Sequence, residues 1–355
     1  STSGGTDAKP YVAAAAKKAL TDHLSRTGRT GTVEDGLFPS TYRVKWDIEG
    51  DPKVSILIPN KDHTDDLEKC LYSIWSKTEW DNFEVIVIEN NSTDPATFAY
   101  YKDAEKRYEG LKVVTWPEKG FNFSAINNFG RKAAQGEYLL LLNNDTEVEQ
   151  DTLHLLAERL DREPELGAVC PKIRFFDPPR SVQFAGYTPL TPVTLRNALI
   201  GFGEPDDGRW DTPCETPYAH GAAMMVRREA ILKAGAMPEM YFLYYEELDW
   251  SQRITDAGYR IGYEPRCTVF HKESRTTGPA SPLKTYYLTR NRLLFARRNR
   301  RGAARRLSVL YQTAVALPKS VVLNLLHGRS DLAGAALRGA RDYFRLEADD
   351  KPHRP

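Results

Sequence analysis

Asp145 ends the run Tyr138-Leu139-Leu140-Leu141-Leu142-Asn143-Asn144-Asp145, in which an apolar segment stops at two amides and a carboxylate. A segment apolar on both faces fits a strand buried in a parallel sheet, and such sheets bind ligands at the carboxyl ends of their strands. Hard oxygen donors placed there suit magnesium or manganese, and either ion can bridge phosphates. Asn-Asn-Asp also makes an ordinary turn, so the weight falls on what the rest of the chain brings to the same place.

A second acidic group lies in Tyr241-Phe242-Leu243-Tyr244-Tyr245-Glu246-Glu247-Leu248-Asp249-Trp250, where Glu246, Glu247 and Asp249 open a helix behind an aromatic wall. Acids favour helix starts for dipole reasons alone. Crowded carboxylates also resist ionising together, which lifts one of them toward the range of a general base, while Tyr245 and Trp250 offer faces to a sugar. His271 follows a strand-like Thr268-Val269-Phe270 and precedes a polar loop containing Arg275, so it could complete a metal shell or serve only the core. Pro59-Asn60-Lys61-Asp62 and Glu89-Asn90-Asn91-Ser92-Thr93-Asp94 supply further short polar side chains. These could pair with a base and a ribose, or act as turns and caps. In Phe121 to Gly130 a helix opens with Asn122 and Ser124; its free N–H groups suit a phosphate, and capping by Ser124 suits the pattern equally. Asn127 and Asn128 sit inside that helix, where Asn is a poor former.

The elements that must position these groups alternate. Val54 to Ile58 reads as a strand and the stretch holding Leu67, Cys70, Leu71, Ile74 and Trp75 as a helix. Strands are expected at 84–88, 111–115 and 138–142, with helices after Asp94-Pro95 and over 124–134. That order predicts an α/β fold with a mostly parallel central sheet flanked by helices. A helix near 151–160 and a strand over 168–176 follow. Asp177 to Pro217 reads as a long connection with no element of its own, facing substrate. Order returns at 222–227, with helices from Arg228 and over 246–257 and short strands around Ile261 and Val269. Tyr11 to Arg26 is helix-prone, Gly28 to Tyr42 is loop-like, and Ser1 to Lys9 reads as a disordered lead-in. The expected organisation is an N-terminal helical and loop extension over 1–50, a catalytic domain over 51–282 and a C-terminal helical region over 283–355.

With 355 residues and a net charge of +1, the chain can bury a large core and has no global field to attract nucleic acid. Four scattered cysteines argue against a zinc site or a disulfide framework and for a reducing compartment. Neither a leader nor an apolar run near the roughly 18–20 residues of a membrane span is evident, so a cytoplasmic location is expected. Arginines gather between Arg290 and Arg306, and the mixed apolar stretch from Val309 to Leu326 follows them. Such a basic amphipathic surface suits peripheral contact with an anionic leaflet, and a bundle packing on itself or on a twin subunit in a homodimer suits it equally.

Taken in order from about Val54 to Asn299, these motifs resemble the family-2 glycosyltransferases of the GT-A fold, inverting enzymes that use nucleotide-diphosphate sugars. Val54 to Asp62 looks like the family's first strand, Glu89 to Asp94 its Asp-Asp-Gly-Ser-Thr-Asp element, and Asn143-Asn144-Asp145 its DXD metal motif. His220-Gly221-Ala222-Ala223-Met224-Met225 resembles the acceptor-side element, Glu246-Glu247-Leu248-Asp249 the stretch that carries the base, and His271 the late metal-binding His. Arg290-Asn291-Arg292 is similar to a frequent helix start. The Val33 to Trp46 and Gln183 to Gly186 segments resemble bacterial members that build surface polysaccharides, rhamnosyltransferases among them.

The resemblance implies a nucleotide-diphosphate sugar donor, such as dTDP-rhamnose or a UDP-sugar, and a glycan or lipid-linked acceptor. It also implies a divalent cation, Mn or Mg, on Asp145, His271 and Asn143. Nucleotide contacts are expected at Pro59, Asn60, Asp62, Glu89, Asn91, Asn122, Ser124, Asn127 and Asn144. Sugar contacts are expected at His220, Gly221, Tyr245, Trp250 and Arg275. Among Glu246, Glu247 and Asp249 the base is expected at Glu247, one methylene longer than the family's usual Asp. Asn143 replaces the first Asp of the metal motif, which lowers the charge there. A catalytically silent carbohydrate-binding module is the other reading. A pyrophosphorylase would need a Gly-rich phosphate loop near the first strand, and a dinucleotide enzyme a G-x-G-x-x-G; neither motif is present.

Overall fold

The computed structural model describes residues 10–36, 38–177, 180–272 and 281–346. The lead-in expected over 1–9 and the sugar contact expected at Arg275 lie outside these. The chain divides into two compact units, one up to Pro52 and one from Lys53 onward.

In the first unit, α1 (Pro10–Arg26) precedes β1 (Gly31–Asp35) and β2 (Tyr42–Trp46), which pair antiparallel from Gly31↔Trp46 to Asp35↔Tyr42. The expectation of a loop over Gly28 to Tyr42 is therefore corrected to a hairpin. Its Gly36 and Pro39 mark only the turn, closed by the Gly36 N–H donating to Thr41 O at 2.8 Å.

The second unit is built on a ten-stranded sheet. β3 (Val54–Asn60), β4 (Phe83–Glu89), β5 (Leu111–Thr115) and β6 (Tyr138–Leu142) are parallel, crossed over by α2 (Thr64–Lys77), α3 (Pro95–Arg107) and α4 (Phe123–Arg131). β3, β4 and β6 are buried almost throughout, as their largely apolar runs require, and the buried Ser55 of β3 donates to the buried Glu84 of β4 at 2.7 Å. Pro59 is tolerated because β3 pairs with β6 only as far as Leu57↔Leu141, so its missing N–H falls beyond that ladder. At the opposite end, a Cβ on Gly136 would lie 2.6 Å from Lys53 O and Ser55 N, so glycine is needed for the chain to enter β6 beside β3.

Beyond β6 the sheet becomes mixed. β7 (Thr146–Val148), α5 (Thr152–Arg162), β8 (Leu166–Phe175), β9 (Val182–Phe184) and β10 (Cys214–Glu215) lead to β11 (Ala223–Arg227) and α6 (Arg228–Ala234). α7 (Glu246–Asp256) and β12 (Arg260–His271) follow. The spatial order is β10-β12-β8-β11-β6-β3-β4-β5. β11 enters antiparallel between β6 and β8, while β12 runs parallel to β8 and antiparallel to β7. Two expectations change here. The 177–217 stretch carries β9, β10 and a Tyr187↔Leu199 bridge, and the two short strands near Ile261 and Val269 are one strand with an irregularity between Glu264 and Thr268.

α8 (Pro282–Asn299) is capped by Ser281, whose hydroxyl accepts from the Lys284 N–H. Arg290-Asn291-Arg292 lies within this helix rather than starting one. Asn291 is fully buried, and its amide reaches three consecutive-turn carbonyls, those of Tyr241, Leu243 and Tyr244, at 3.0, 2.7 and 2.8 Å. Arg290 donates to the carbonyls of Met240 and Tyr241. α8 thus grips the turn before α7, in which Phe242, Tyr244 and Tyr245 all have positive φ, of 68, 66 and 77°. Non-glycine residues pay for that backbone, so it persists only when held from outside.

α9 (Gly302–Tyr311), a π-helical turn over 312–316 and α10 (Leu317–Leu326) form one helix of 25 residues. By length and composition it is long and apolar enough to cross a membrane, which corrects the expectation that no run approaches that size. The arginines at its start masked the run in the sequence, because from Leu307 to Leu326 only Lys319 is charged. α11 (Ser330–Arg345) then packs on α8 so closely that a Cβ on Gly339 would meet Tyr286 O at 2.5 Å.

Asn291→Ala leaves buried carbonyls of the strained turn without donors. The expected cost is about 2–3 kcal/mol, read as a lower urea midpoint with an unchanged denaturant slope.

Candidate active site

Three strand ends meet at the sheet's carboxyl edge. Asn60 ends β3, Glu89 ends β4, and Asn143 to Asp145 follow β6. Asn144 donates to Asn60 Oδ1 at 2.6 Å, and Asn60 donates to the Tyr101 hydroxyl and Asp62 O, both at 2.8 Å. Tyr101 donates in turn to Glu89, which also accepts from the Ser92 N–H and hydroxyl. Asp62 accepts from the Thr93 and Asp94 N–H groups at 2.9 and 3.0 Å. The Asp94 N–H is the main reason its carboxyl is held below the ordinary range. Asp62 thus fastens the β3 end loop to the β4 end loop, and Asn60 and Glu89 are joined through Tyr101. Asn60 and Glu89 are buried, whereas Asp62 and Asn91 stay partly open beside the Pro59 end of β3.

The α4 residues sit differently from the expectation. Asn122 caps the helix by accepting from the Ala125 N–H, which occupies one of the donors read as free for phosphate. Ser124 and Asn127 are buried at 1 and 2% exposure, so neither presents its side chain to a ligand in this arrangement. Asn128 explains its presence in a helix by clamping Met237, donating to its carbonyl and accepting from its N–H.

β12 pairs His271 with Thr146 of β7, which sets the imidazole beside the metal motif. His271 Nε2 lies 3.3 Å from Asp145 Oδ1 and 3.3 Å from the Asn143 amide nitrogen. Its Nδ1 lies 2.8 Å from Gln183 Oε1 on β9. An amide oxygen there accepts an Nδ1 proton, so Nε2 faces the Asp145 carboxylate, as a lone pair in the neutral ring and as a donor in the protonated one. Two acceptors facing each other need a proton or a cation between them. Burial pushes the Asp145 carboxyl up, and the hydrogen bond and charge of His271 outweigh it, leaving the group below its ordinary range. Among the described residues no cluster of three or more His, Cys, Asp or Glu gathers as a metal site. The donor set is one carboxylate, one imidazole and the Asn143 amide, and it fits a hard cation that completes its shell from phosphate and water.

The three acidic candidates of α7 separate clearly. Asp249 is fully buried, and its Oδ2 accepts from Tyr241, Arg298 and Asn299 at 2.6, 2.9 and 2.7 Å. It ties α7 to α8 and is closed to substrate, contrary to the expectation that placed it among the catalytic groups. Trp250 is also corrected: at 3% exposure it donates to Gly235 O from inside the core and offers no face to a sugar.

Glu247 lines a cavity of about 360 Å³ together with Tyr187, Arg196, Asn197, Tyr245 and Arg292. Burial raises its carboxyl to about 7, and burial with the neighbouring Glu247 charge raises Glu246 further. Tyr245 shapes the cavity, donating to Leu195 O at 3.0 Å and accepting from Arg292 at 2.9 Å.

The metal motif and Glu247 are joined by an unbroken series of contacts. Asn143 donates from its backbone to Ala222 O at 3.0 Å, so Gly221 and His220 lie at the same edge. Gln183 precedes Phe184, whose ring packs at 5.0 Å from His220 and 5.4 Å from Tyr187. Tyr187 stacks on His220 at 18° and lines the Glu247 cavity. Burial, helped by His271, pushes the His220 imidazole down to about 3, so it stays neutral and its Nδ1 accepts from the Ala222 N–H. Gln183 and Arg292 enter the sequence reading only within family-like segments, and Tyr187, Arg196 and Asn197 not as site residues at all. The one available signal was a polar Gln inside the apolar strand-like Val182-Gln183-Phe184.

Comparisons with known proteins agree with this geometry. O-antigen biosynthesis protein RfbC of Myxococcus xanthus is 34% identical over 287 residues, covering 77% of this chain and 21% of that protein. An N-acetylglucosaminyl-diphospho-decaprenol L-rhamnosyltransferase of Mycobacterium tuberculosis is 28% identical over 247 residues, covering 62% of this chain and 77% of that protein. The chain thus spans only about a fifth of the length of the first of these relatives. A solved mannosyltransferase from Pyrobaculum calidifontis, in complex with GDP-Man and Mn2+, superposes with a TM-score of 0.51 at 16% identity, over 96% of this chain and 97% of that one. The fold is GT-A-like. Since residues 55–234 match the family model described as glycosyl transferase family 2, this chain belongs to that family.

Proposed function

We propose that the chain is an inverting glycosyltransferase that moves a sugar from a nucleoside-diphosphate donor to a hydroxyl of a glycan or lipid-linked acceptor, in the assembly of a surface polysaccharide. The observation that carries this reading is the Glu247 carboxylate, raised toward neutrality on the wall of a cavity whose Tyr187 stacks on His220, while Asp145 lines a separate, smaller pocket with Asp66, Lys69 and Lys272. The names of the relatives, an O-antigen biosynthesis protein and a rhamnosyltransferase acting on a lipid diphosphate, support the substrate class.

Glu247 takes the proton of the acceptor hydroxyl as that oxygen forms its bond to the anomeric carbon. The bond from that carbon to the diphosphate oxygen breaks on the opposite face, so configuration inverts and no covalent sugar intermediate forms. Asp145, His271 and Asn143 would hold a divalent cation, which would neutralise charge on the departing diphosphate. Asp62 and the Asn60–Asn144 pair set the floor on which the nucleoside rests. Arg292 and Tyr245 keep Glu247's cavity open, and Asp249 with Arg298 fixes the pitch of α7 beneath it.

Glu247→Gln is expected to lower turnover by about a hundredfold to ten-thousandfold, with nucleoside-diphosphate binding retained in a thermal-shift assay. A silent binding module would keep its full function in that variant. Because the base must be ionised and its pKa is raised to about 7, kcat/KM should climb with pH up to about 7 and level off above it. A profile already flat from pH 5 would remove Glu247 from that role. Asp145→Asn should abolish any extra thermal shift that manganese adds to a nucleoside diphosphate, without changing the shift given by the nucleotide alone.

A further inference from the structure

We infer that the 25-residue helix from Gly302 to Leu326 lies flat in the surface of an anionic bilayer and holds the Glu247 cavity against it. The helix is barely covered: 6% of its most apolar window is buried, and Leu310, Val322 and Leu326 are 60, 53 and 76% exposed. An apolar strip of this size on a soluble surface calls for a partner.

Charge identifies the partner. No acidic residue occurs from Gly302 to Ser330, while Arg301, Arg305, Arg306 and Lys319 are all exposed. A basic helix with an apolar face matches the headgroup and upper acyl region of anionic lipid. A second copy of this chain would be a poor cover, because a two-fold contact sets the same basic residues against their own twins.

The helix rests on the membrane rather than spanning it. It is about 37 Å long, enough to cross, but α11 follows directly and packs back on α8, with Tyr286 donating to Asp342 at 3.0 Å. Both ends of the helix are therefore tied to one body on one side of any bilayer. Its inner face is also already seated on protein. Ser308 and Gln312 are buried and donate to Val193 O and Thr194 O at 2.8 and 2.9 Å. The next carbonyl, Leu195 O, accepts from Tyr245 in the cavity, and Arg196 and Asn197 line it. The same short loop thus carries the helix on one side and the wall of the cavity on the other. On the transferase reading proposed above, an acceptor anchored in lipid would meet Glu247 without leaving the surface.

Flotation of the full chain with vesicles tests this without any donor sugar, so the result does not depend on whether transfer is observed. Vesicles of phosphatidylcholine with phosphatidylglycerol are expected to carry the protein upward, and pure phosphatidylcholine far less. Replacing Arg301, Arg305 and Arg306 together by Glu should lower partitioning by on the order of a hundredfold. Leu310→Glu with Leu326→Glu should lower it by roughly tenfold or more. Unchanged thermal melting of both variants shows that the fold is intact. Equal binding to both vesicle types, wild-type partitioning by either variant, or a sedimenting dimer that the Leu310→Glu, Leu326→Glu chain loses would each overturn the proposal.

Discussion

The antiparallel entry of β11 between β6 and β8 is the constraint on which the site depends. A purely parallel sheet would end at β6 and leave Asp145 at an edge with no facing strand. With β11 inserted, His220 to Ala222 meets the end of β6, and β8 carries β12 beside it. β7 then has a partner, and His271 arrives opposite Thr146. The register does this without help from any side chain of the site. The imidazole and the carboxylate are brought together by backbone pairing, and Gln183 then sets which imidazole nitrogen faces inward.

A second constraint acts on the acidic helix. The turn at Phe242, Tyr244 and Tyr245 aims α7 so that Glu247 faces the cavity and Asp249 faces the core, although both stand in the same helical turn. Such a turn is unfavourable by itself and is maintained by Asn291 and Arg290 from α8. Aromatic and aliphatic residues from the 190s loop, α7, α8 and α11, including Leu195, Tyr241, Phe295 and Tyr343, close one apolar core around it. The C-terminal helices thus help to orient Glu247 toward its cavity.

Much of this could be read in the sequence, for identifiable reasons. The strands around Val54 and Tyr138 carry strongly apolar runs, and each run stops at a polar cluster on the same sheet edge. His271 could be tied to Asp145 only through family resemblance, because the pairing that unites them spans more than a hundred residues. Asp249 and Trp250 were misplaced because a helix start does not reveal which of its faces is buried. That depended on Arg298 and Asn299, some fifty residues later. At α4 the sequence leaves an open helix start and a capped one indistinguishable, and the structure shows the cap, supplied by Asn122 rather than Ser124. Glycines concealed the hairpin at Gly31, and arginines at its start concealed the full apolar length of the helix beyond Gly302.

Val193, Thr194 and Leu195 are each held by a different residue, Ser308, Gln312 and Tyr245, and every one of those bonds ends on a main-chain oxygen. Main-chain oxygens do not change when side chains are exchanged. Natural drift could therefore rewrite Arg196, Asn197 and their neighbours, and with them the lining of the cavity, while the segment stays moored in the same place. A change in the cavity lining would then cost little in folding.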